Sequence, residues 1–269
     1  MIFKLVTKLS TLITIVIICL PPVFAKSILV QSSTSLKNSG FYQHIIPVIK
    51  NELGIDLHVV AVGTGQAVKN ALNCDGDLLI THAKEAELDF LKTGFGLKRL
   101  ELMYSHWLII GPEDTANSLT VKNDISDAFY LIFSKRHKFV SRGDNSGTHM
   151  REIKLWKKAG LNPKTFSTKW YLEVGSGQGA TLNTSIQLEA FTLTDSATWF
   201  SFQNKGNAQI AYKDEKNFNF YSLTTINSKK CPNIKLNESE EVVDFLTSKR
   251  GKALISSFSI NGELVFFPL

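Results

Sequence analysis

The stretch Ile55-Asp56-Leu57-His58-Val59-Val60-Ala61-Val62-Gly63-Thr64-Gly65-Gln66-Ala67-Val68-Lys69-Asn70-Ala71-Leu72 decides the fold. Ile55 to Val62 is an apolar run of strand length, Gly63-Thr64-Gly65 is a turn, and Gln66 to Leu72 reads as a helix. The same order flanks it on both sides. Upstream, Ser27 to Gln31 is strand-like, Ser32-Ser33-Thr34-Ser35 is a hydroxyl-rich turn, and Phe41 to Leu53 spaces Ile45, Ile46, Val48 and Ile49 as a helix does. Downstream, Asp77 to Thr81 is a third strand and Ala83 to Lys92 a third helix. A βαβαβα order predicts a parallel sheet with right-handed crossovers. Ligands of such sheets sit at the carboxyl ends of the strands.

A different rhythm follows. Arg99 to Gly111 is one long strand-like stretch carrying Leu102, Tyr104, Trp107, Leu108, Ile109 and Ile110, and it breaks at Gly111-Pro112. It reads as the first crossing into a second lobe. That lobe would contain a strand at Lys138 to Val140, a helix from Thr148 to Ala159, the segment around Tyr171, a strand at Ala190 to Thr194 and a helix from near Asp195. Ala208 to Tyr212 and Phe218 to Leu223 read as the return path, and a C-terminal helix, Ser239 to Phe258, is expected to pack back on the first lobe. The expected architecture is α/β, with two lobes joined by a two-strand hinge. Residues 26–108 and 214–269 form the first lobe and 109–213 the second. Such a chain makes a cleft that can close on a ligand.

At the start of the chain, Lys4 and Lys8 precede an uncharged apolar run, Leu9 to Leu20, and then Pro21-Pro22-Val23-Phe24-Ala25. This is the pattern of a cleavable export signal over 1–25. The run is shorter than the roughly 20 residues that span a bilayer, and Ile18 before Cys19 argues against a lipid anchor. The expected location is the periplasm. With 30 basic and 24 acidic residues the chain has a formal net charge of +6. It lacks the clustered cations and interleaved aromatics of a nucleic-acid surface. Beyond the signal stand Cys74 and Cys231, far apart and without the close pairing of a metal or redox motif. One disulfide is permitted in an exported protein; two buried thiols are the alternative.

Four turns that precede helices are rich in Ser, Thr and Gly: Ser32 to Ser35, Gly63 to Gly65, Arg142-Gly143-Asp144-Asn145-Ser146-Gly147-Thr148, and Gly175-Ser176-Gly177-Gln178-Gly179-Ala180-Thr181. Helix N-termini offer unpaired N–H groups and a partial positive charge, so anions are stabilised there. Hydroxyls add neutral donors, and glycine lets the backbone approach closely. Each turn alone is an ordinary capped helix start. Four at corresponding positions in two lobes would face one cleft. Arg142 is the cation placed there, because a guanidinium offers an oxyanion a forked pair of N–H groups. The alternative pairs it with Asp144 or leaves it on the surface. Asp144 either orders Arg142 and caps the helix, or accepts a proton from a ligand such as hydrogen phosphate.

Enzyme motifs are missing. Ser146 with His149, or other serines with His82, lack a nucleophile elbow, and His149, one residue past a cap, reads as a helix-surface residue. The Gly175 turn matches neither a P-loop nor the full dinucleotide fingerprint. No cluster has metal-ligand spacing, so neither a cofactor nor a metal ion is expected. Arg142-Gly143-Asp144 spells a cell-adhesion tripeptide, read as coincidence.

Taken together and in order, Ser32-Ser33-Thr34-Ser35 with Ser39-Gly40, Val62-Gly63-Thr64-Gly65-Gln66-Ala67, Asp75 to Ala83, Val140 to His149, Gly177 to Leu182 and Thr192-Leu193-Thr194-Asp195 resemble the tungstate-binding component of bacterial tungstate ABC transporters. The resemblance runs from about Ile28 to the C-terminus. It implies a periplasmic-binding-protein fold of the second topological type with the ligand in the interlobe cleft. It also implies a monomer that passes a tetrahedral oxyanion, tungstate or molybdate, to a membrane permease. The residues it implies as ligands are Ser33, Thr34, Ser35, Thr64 and Gly65 from the first lobe, with Arg142, Ser146, Gly147, Thr148, Gly179 and Thr181 from the second. The family's opening turn usually has three threonines and a serine; Ser32 and Ser33 keep the hydroxyls and lose two methyls. Leu36 stands where the family commonly has another threonine and is not counted as a ligand. The Arg142 stretch is also similar to one in phosphate-binding transport proteins. Phosphate is therefore the runner-up ligand, and a secreted phosphoester hydrolase a more distant alternative.

Overall fold

The computed structural model describes residues 26–119, 124–144 and 146–269. The export signal read in 1–25, and Asn145, lie outside the described residues. Strand β1 (Lys26–Ser33) pairs in parallel with β2 (Ile55–Val62) on one side and β3 (Leu78–Thr81) on the other. The connections carry α1 (Thr34–Asn38), α2 (Phe41–Leu53) and α3 (Thr64–Leu72), and α4 (Lys84–Lys92) follows β3. The βαβαβα expectation holds, with one addition. The hydroxyl turn itself winds into α1, because Ser33 Oγ accepts the Leu36 N–H and caps it.

Two long strands then run the length of the molecule side by side. Strand β4 (Gly96–Pro112) pairs antiparallel with β8 (Ala208–Ile226), and β8 also pairs with β3, giving the order β11-β4-β8-β3-β1-β2. The two segments read as a return path are thus one strand. Midway, His106 pairs with Phe218 but Leu108 pairs with Lys213. The intervening bulge is held by Asp214 Oδ1, which accepts the N–H groups of Lys216 and Asn217.

Between β4 and β8 the chain forms α5 (Glu113–Ala116), α6 (Ile125–Ser134), β5 (Phe139–Ser141), α7 (Gly147–Lys158), β6 (Tyr171–Glu173), α8 (Gln178–Gln187), β7 (Thr192–Asp195) and α9 (Ser196–Ser201). Strands β5 and β6 are parallel, and β7 runs antiparallel to β4. The described residues form four apolar clusters, of which two are large. One gathers Ile28, Ile45, Met103, Tyr221 and Leu246; the other gathers Ile109, Phe129, Trp156 and Phe191. Each fully buried side chain of this kind contributes about 1.5–3 kcal/mol.

The expected single C-terminal helix is two, α10 (Leu236–Thr247) and α11 (Lys249–Ser256). Ser248 is extended at φ −69, ψ 168, and its Oγ accepts the Gly251 N–H to start the second helix. Both pack on the first core as expected. Hairpin β9–β10 (Ser259–Ile260, Glu263–Leu264) follows, and β11 (Phe267–Pro268) pairs with β4. Cys74 and Cys231 form a disulfide across 157 residues with Cα atoms 5.4 Å apart, so the two-thiol alternative falls.

The turn after β3 is pinned by a buried carboxylate. Glu87 accepts from Thr81 Oγ1 (2.7 Å), the Ala83 N–H (2.9 Å), Arg99 Nε (2.7 Å) and Ser222 Oγ (2.6 Å). Four donors meet its lone pairs and one cation its charge, which a buried carboxylate requires. The network fixes the backbone on either side of His82.

Candidate anion-binding site

The carboxyl ends of β1 and β2 lead straight into α1 and α3, and the end of β5 leads through a short loop into α7. These three helix starts meet across the cleft. Ser33, Thr34 and Ser35 from the first, Val62, Gly63 and Thr64 from the second, and Ser146, Gly147 and Thr148 from the third line one small cavity with His82 and Arg142. Its free volume is about 10 Å³, room for about one water.

The wall is rich in donors. Gly63 caps α3 with no side chain, so the first N–H groups of that helix are left to whatever fills the cavity. Among the described residues, the hydroxyls of Thr34, Thr64 and Thr148 have no protein partner. Ser146 Oγ accepts the His149 N–H and caps α7. Arg142 is 8% exposed. Its Nη2 donates to Asp144 Oδ2 at 2.7 Å, while its Nε is buried with no partner among the described residues. The preceding alternatives therefore both hold: Arg142 is in the cleft and is paired with Asp144. Gly143 permits this loop, since it sits at φ 60 and a β-carbon there would stand 2.6 Å from Glu173 Cβ.

Asp144 does not line the cavity. Its Oδ1 accepts the Ser146 N–H and its Oδ2 the guanidinium. Burial pushes its pKa up, but the hydrogen bonds from Ser146 and Arg142 outweigh that and hold it below the usual carboxylate value. It is an ionised acceptor already in use.

Of the residues expected as ligands, the cavity brings together Ser33, Thr34, Ser35, Thr64, Arg142, Ser146, Gly147 and Thr148. It leaves out three. Gly65 lies one residue farther along α3. Gly179 lines a separate cleft of about 530 Å³ that shares Thr34, Ser35 and Arg142. Thr181 is fully buried, and its hydroxyl donates to Gly177 O at 3.1 Å in its own helix turn. Helix phase points it back along α8 rather than outward.

Two histidines differ from expectation. His149 is not a helix-surface residue: its Nδ1 lies 3.2 Å from Ser141 Oγ and 3.9 Å from Glu152 Oε2. Its pKa is raised by the hydrogen bond with Glu152. That buried carboxylate also accepts from Ser141, Trp156 and Tyr171, which draws the ring inward. His82, considered only as a hydrolase partner, is part of the cavity wall. Its place just after β3, at the sheet edge shared by the Ser32 and Gly63 turns, was the available signal. Burial lowers its pKa, more than Asp195, Asn219 and Glu87 raise it, and Arg142 lowers it further, so the ring is neutral at pH 7. Across the cleft, Lys154 of α7 pairs with Glu85 of α4.

Residues 24–250 match the PBP superfamily domain. The tungstate-binding protein TupA of Peptoclostridium acidaminophilum is 33% identical over 235 residues, covering 86% of this chain and 81% of that one. TupA of Campylobacter jejuni is 32% identical over 237 residues, covering 86% and 87%. Among solved structures, the tungstate-binding protein TupA of Desulfovibrio alaskensis G20 is similar with a TM-score of 0.81 at 34% identity, over 91% of this chain and 99% of that one.

Proposed function

Because the chain belongs to the PBP superfamily, in the family of these tungstate-binding relatives, we propose that it is the solute-binding component of an ABC importer, capturing tungstate and passing it to a membrane permease. The observation that carries this is the convergence of three helix starts, the Thr34, Thr64 and Thr148 hydroxyls and the buried Arg142 on one cavity. The ligand is bound and not turned over.

The ligand set is Ser33, Thr34, Ser35, Thr64, Arg142, Ser146, Gly147 and Thr148, with the α3 amides. An anion without protons needs donors and no acceptor. Hydrogen phosphate needs an acceptor as well, and Asp144 is occupied by Arg142 and the Ser146 N–H. This favours tungstate, and molybdate of similar size and shape, over phosphate. The lobes divide at 108/109 and 213/214, a reading supported by the bulge at Asp214 in the paired strands. The protein works as a monomer in the periplasm after loss of 1–25; no described helix is long and apolar enough to cross a membrane.

Titrating the purified protein with tungstate, molybdate, phosphate and sulfate while following Tm tests the reading. A ligand at 100 times its Kd adds about 2.7 kcal/mol of stability. Tungstate and molybdate should raise Tm at micromolar concentration; stabilisation by phosphate alone, or by none of the four, would overturn the assignment.

A further inference from the structure

His82 has no role yet in anion capture, although its ring forms part of the cavity wall. Its Nδ1 lies 3.0 Å from Asn219 Oδ1 and its Nε2 3.1 Å from Ser35 Oγ. Asn219 Nδ2 lies 3.2 Å from Ser105 Oγ and 3.3 Å from Tyr221 Oη. The imidazole is stacked on Tyr221 with centroids 4.8 Å apart. On its other side, a β-carbon on Gly147 would come within 3.3 Å of its Cε1, so the start of α7 closes against the ring. The ring is held from both lobes.

This hydrogen-bonded chain has two polarities, since amide and imidazole each present a donor and an acceptor. In one, the Asn219 carbonyl accepts Nδ1–H, Nε2 accepts the Ser35 proton, and Ser35 turns lone pairs to the cavity. In the other, the amide is reversed: Ser105 and Tyr221 donate to its oxygen, its N–H donates to Nδ1, and Nε2–H donates to Ser35 Oγ. The Ser35 proton can then go to a ligand or to Ser33 Oγ, 3.2 Å away, and an anion in the cavity is the stronger acceptor. Only the second polarity suits an anion that carries no proton. A neutral ring must adopt one or the other, and Asp195, Glu87 and Arg142, the charged groups around it, act on the ring with opposing signs.

Resting on the oxyanion reading above, we propose that His82 is a positioning residue whose Nε2–H tautomer is selected by ligand capture and aims the Ser35 hydroxyl at the anion. The order Ser35, His82, Asn219 is also that of a nucleophile, base and orienting group. The relatives that this chain resembles are tungstate-binding proteins, so the relay is assigned to binding.

The test is ¹⁵N NMR of protein labelled at histidine, at pH 7.5, with and without sodium tungstate, His82 being assigned by its loss in His82→Phe. With tungstate bound, Nε2 should show the protonated shift and Nδ1 the unprotonated one. An Nδ1–H tautomer in the complex overturns the proposal. A double-mutant cycle gives a second readout. Ser35→Ala and His82→Phe should each weaken tungstate binding about tenfold, the loss of one hydrogen bond to a charged ligand. The double variant should lose no more than either alone, and His82→Gln, which keeps a donor toward Ser35, should bind nearly as the wild type does. Additive losses mean that His82 does not act through Ser35 and also refute the relay. A wild type that binds no tungstate ends the oxyanion reading and the relay together, whereas tungstate binding with the wrong tautomer ends the relay alone.

Discussion

Replacing Arg142 is the most direct perturbation of the site. Its guanidinium is 2.7 Å from Asp144, and its buried Nε has no acceptor among the described residues. Two unit charges about 4 Å apart interact by about 4 kcal/mol at an effective dielectric of about 20, and a hydrogen bond to a charged group contributes about 1.5–3 kcal/mol. Water entering the space left by Arg142→Ala recovers part of this. The net loss expected is about 4 kcal/mol, on the order of a thousandfold in Kd. Arg142→Lys keeps the charge and loses the fork, so it should cost about 1–2 kcal/mol.

Asp144 allows a check on the cause. In Arg142→Ala its carboxylate is unpaired and close to an incoming dianion, so part of the loss is repulsion. Adding Asp144→Asn keeps an oxygen for the Ser146 N–H and should recover about 1 kcal/mol. Calorimetric titration with tungstate measures all four proteins. An Arg142→Ala variant within threefold of wild type would place the guanidinium outside the binding site and refute the reasoning; a double variant no tighter than the single would refute the part given to Asp144.

Gly147→Ala puts a methyl 3.3 Å from His82 Cε1 across the cleft; tungstate affinity should fall about fivefold through a cost near 1 kcal/mol, while the Tm of the ligand-free protein stays within about 2 °C. Unchanged affinity would mean that the contact does not govern closure. Removing the disulfide as Cys74→Ser/Cys231→Ser releases a 157-residue loop and should lower stability by up to about 5 kcal/mol in urea unfolding; a loss below about 1 kcal/mol contradicts it. Asp124 caps α6 by accepting the Ser126 N–H and pairs with Lys158. Burial raises its pKa, but Lys158 and Ser126 prevail and hold it at about 2. A depressed carboxylate pKa adds stability above the ordinary value near 4 that is lost as pH falls through about 2. Asp124→Asn should therefore be less stable by about 1 kcal/mol at pH 7, with the gap closing below pH 4; a gap independent of pH would count against the ion pair.

How much of this was legible varied with how local the cause was. Strand β2 and helix α2 have the bounds their patterns gave, Ile55–Val62 and Phe41–Leu53, because a change of period and a glycine mark each end. Helices α3 and α7 start one or two residues earlier than read, at Thr64 and Gly147, since glycine-rich turns can already be helical at their last residue. Helix α6 was missed: Ile125, Ala128, Phe129 and Ile132 are buried, Tyr130, Leu131 and Phe133 are apolar as well, and Asp127 and Ser134 are the few polar marks of its exposed face. The break at Ser248 depended on a hydroxyl turning to cap Gly251 instead of facing solvent. At the site, hydroxyl turns at strand ends were readable from topology. The Thr181 hydroxyl donates within its own helix turn, a placement that helix phase decides and sequence spacing does not show. His82 was missed because its partner Asn219 lies 137 residues away.

The pairing of Arg142 with Asp144 changes what holds the anion. One positive and one negative charge nearly cancel at a distance, so the cavity is not a net cationic trap despite the basic chain. Attraction must come at short range, from three helix N-termini, the Thr34, Thr64 and Thr148 hydroxyls and the Nε–H of Arg142. Such donors act at contact distance, whereas interactions between exposed charges are screened beyond about 8 Å at physiological salt. Tungstate affinity should therefore change less than about threefold between 0.02 and 0.5 M salt, since a buried site is screened little. The association rate, which samples the field of the whole chain, is free to fall further. An affinity that drops in parallel with that rate would show that the overall charge, rather than the donor wall, carries the binding.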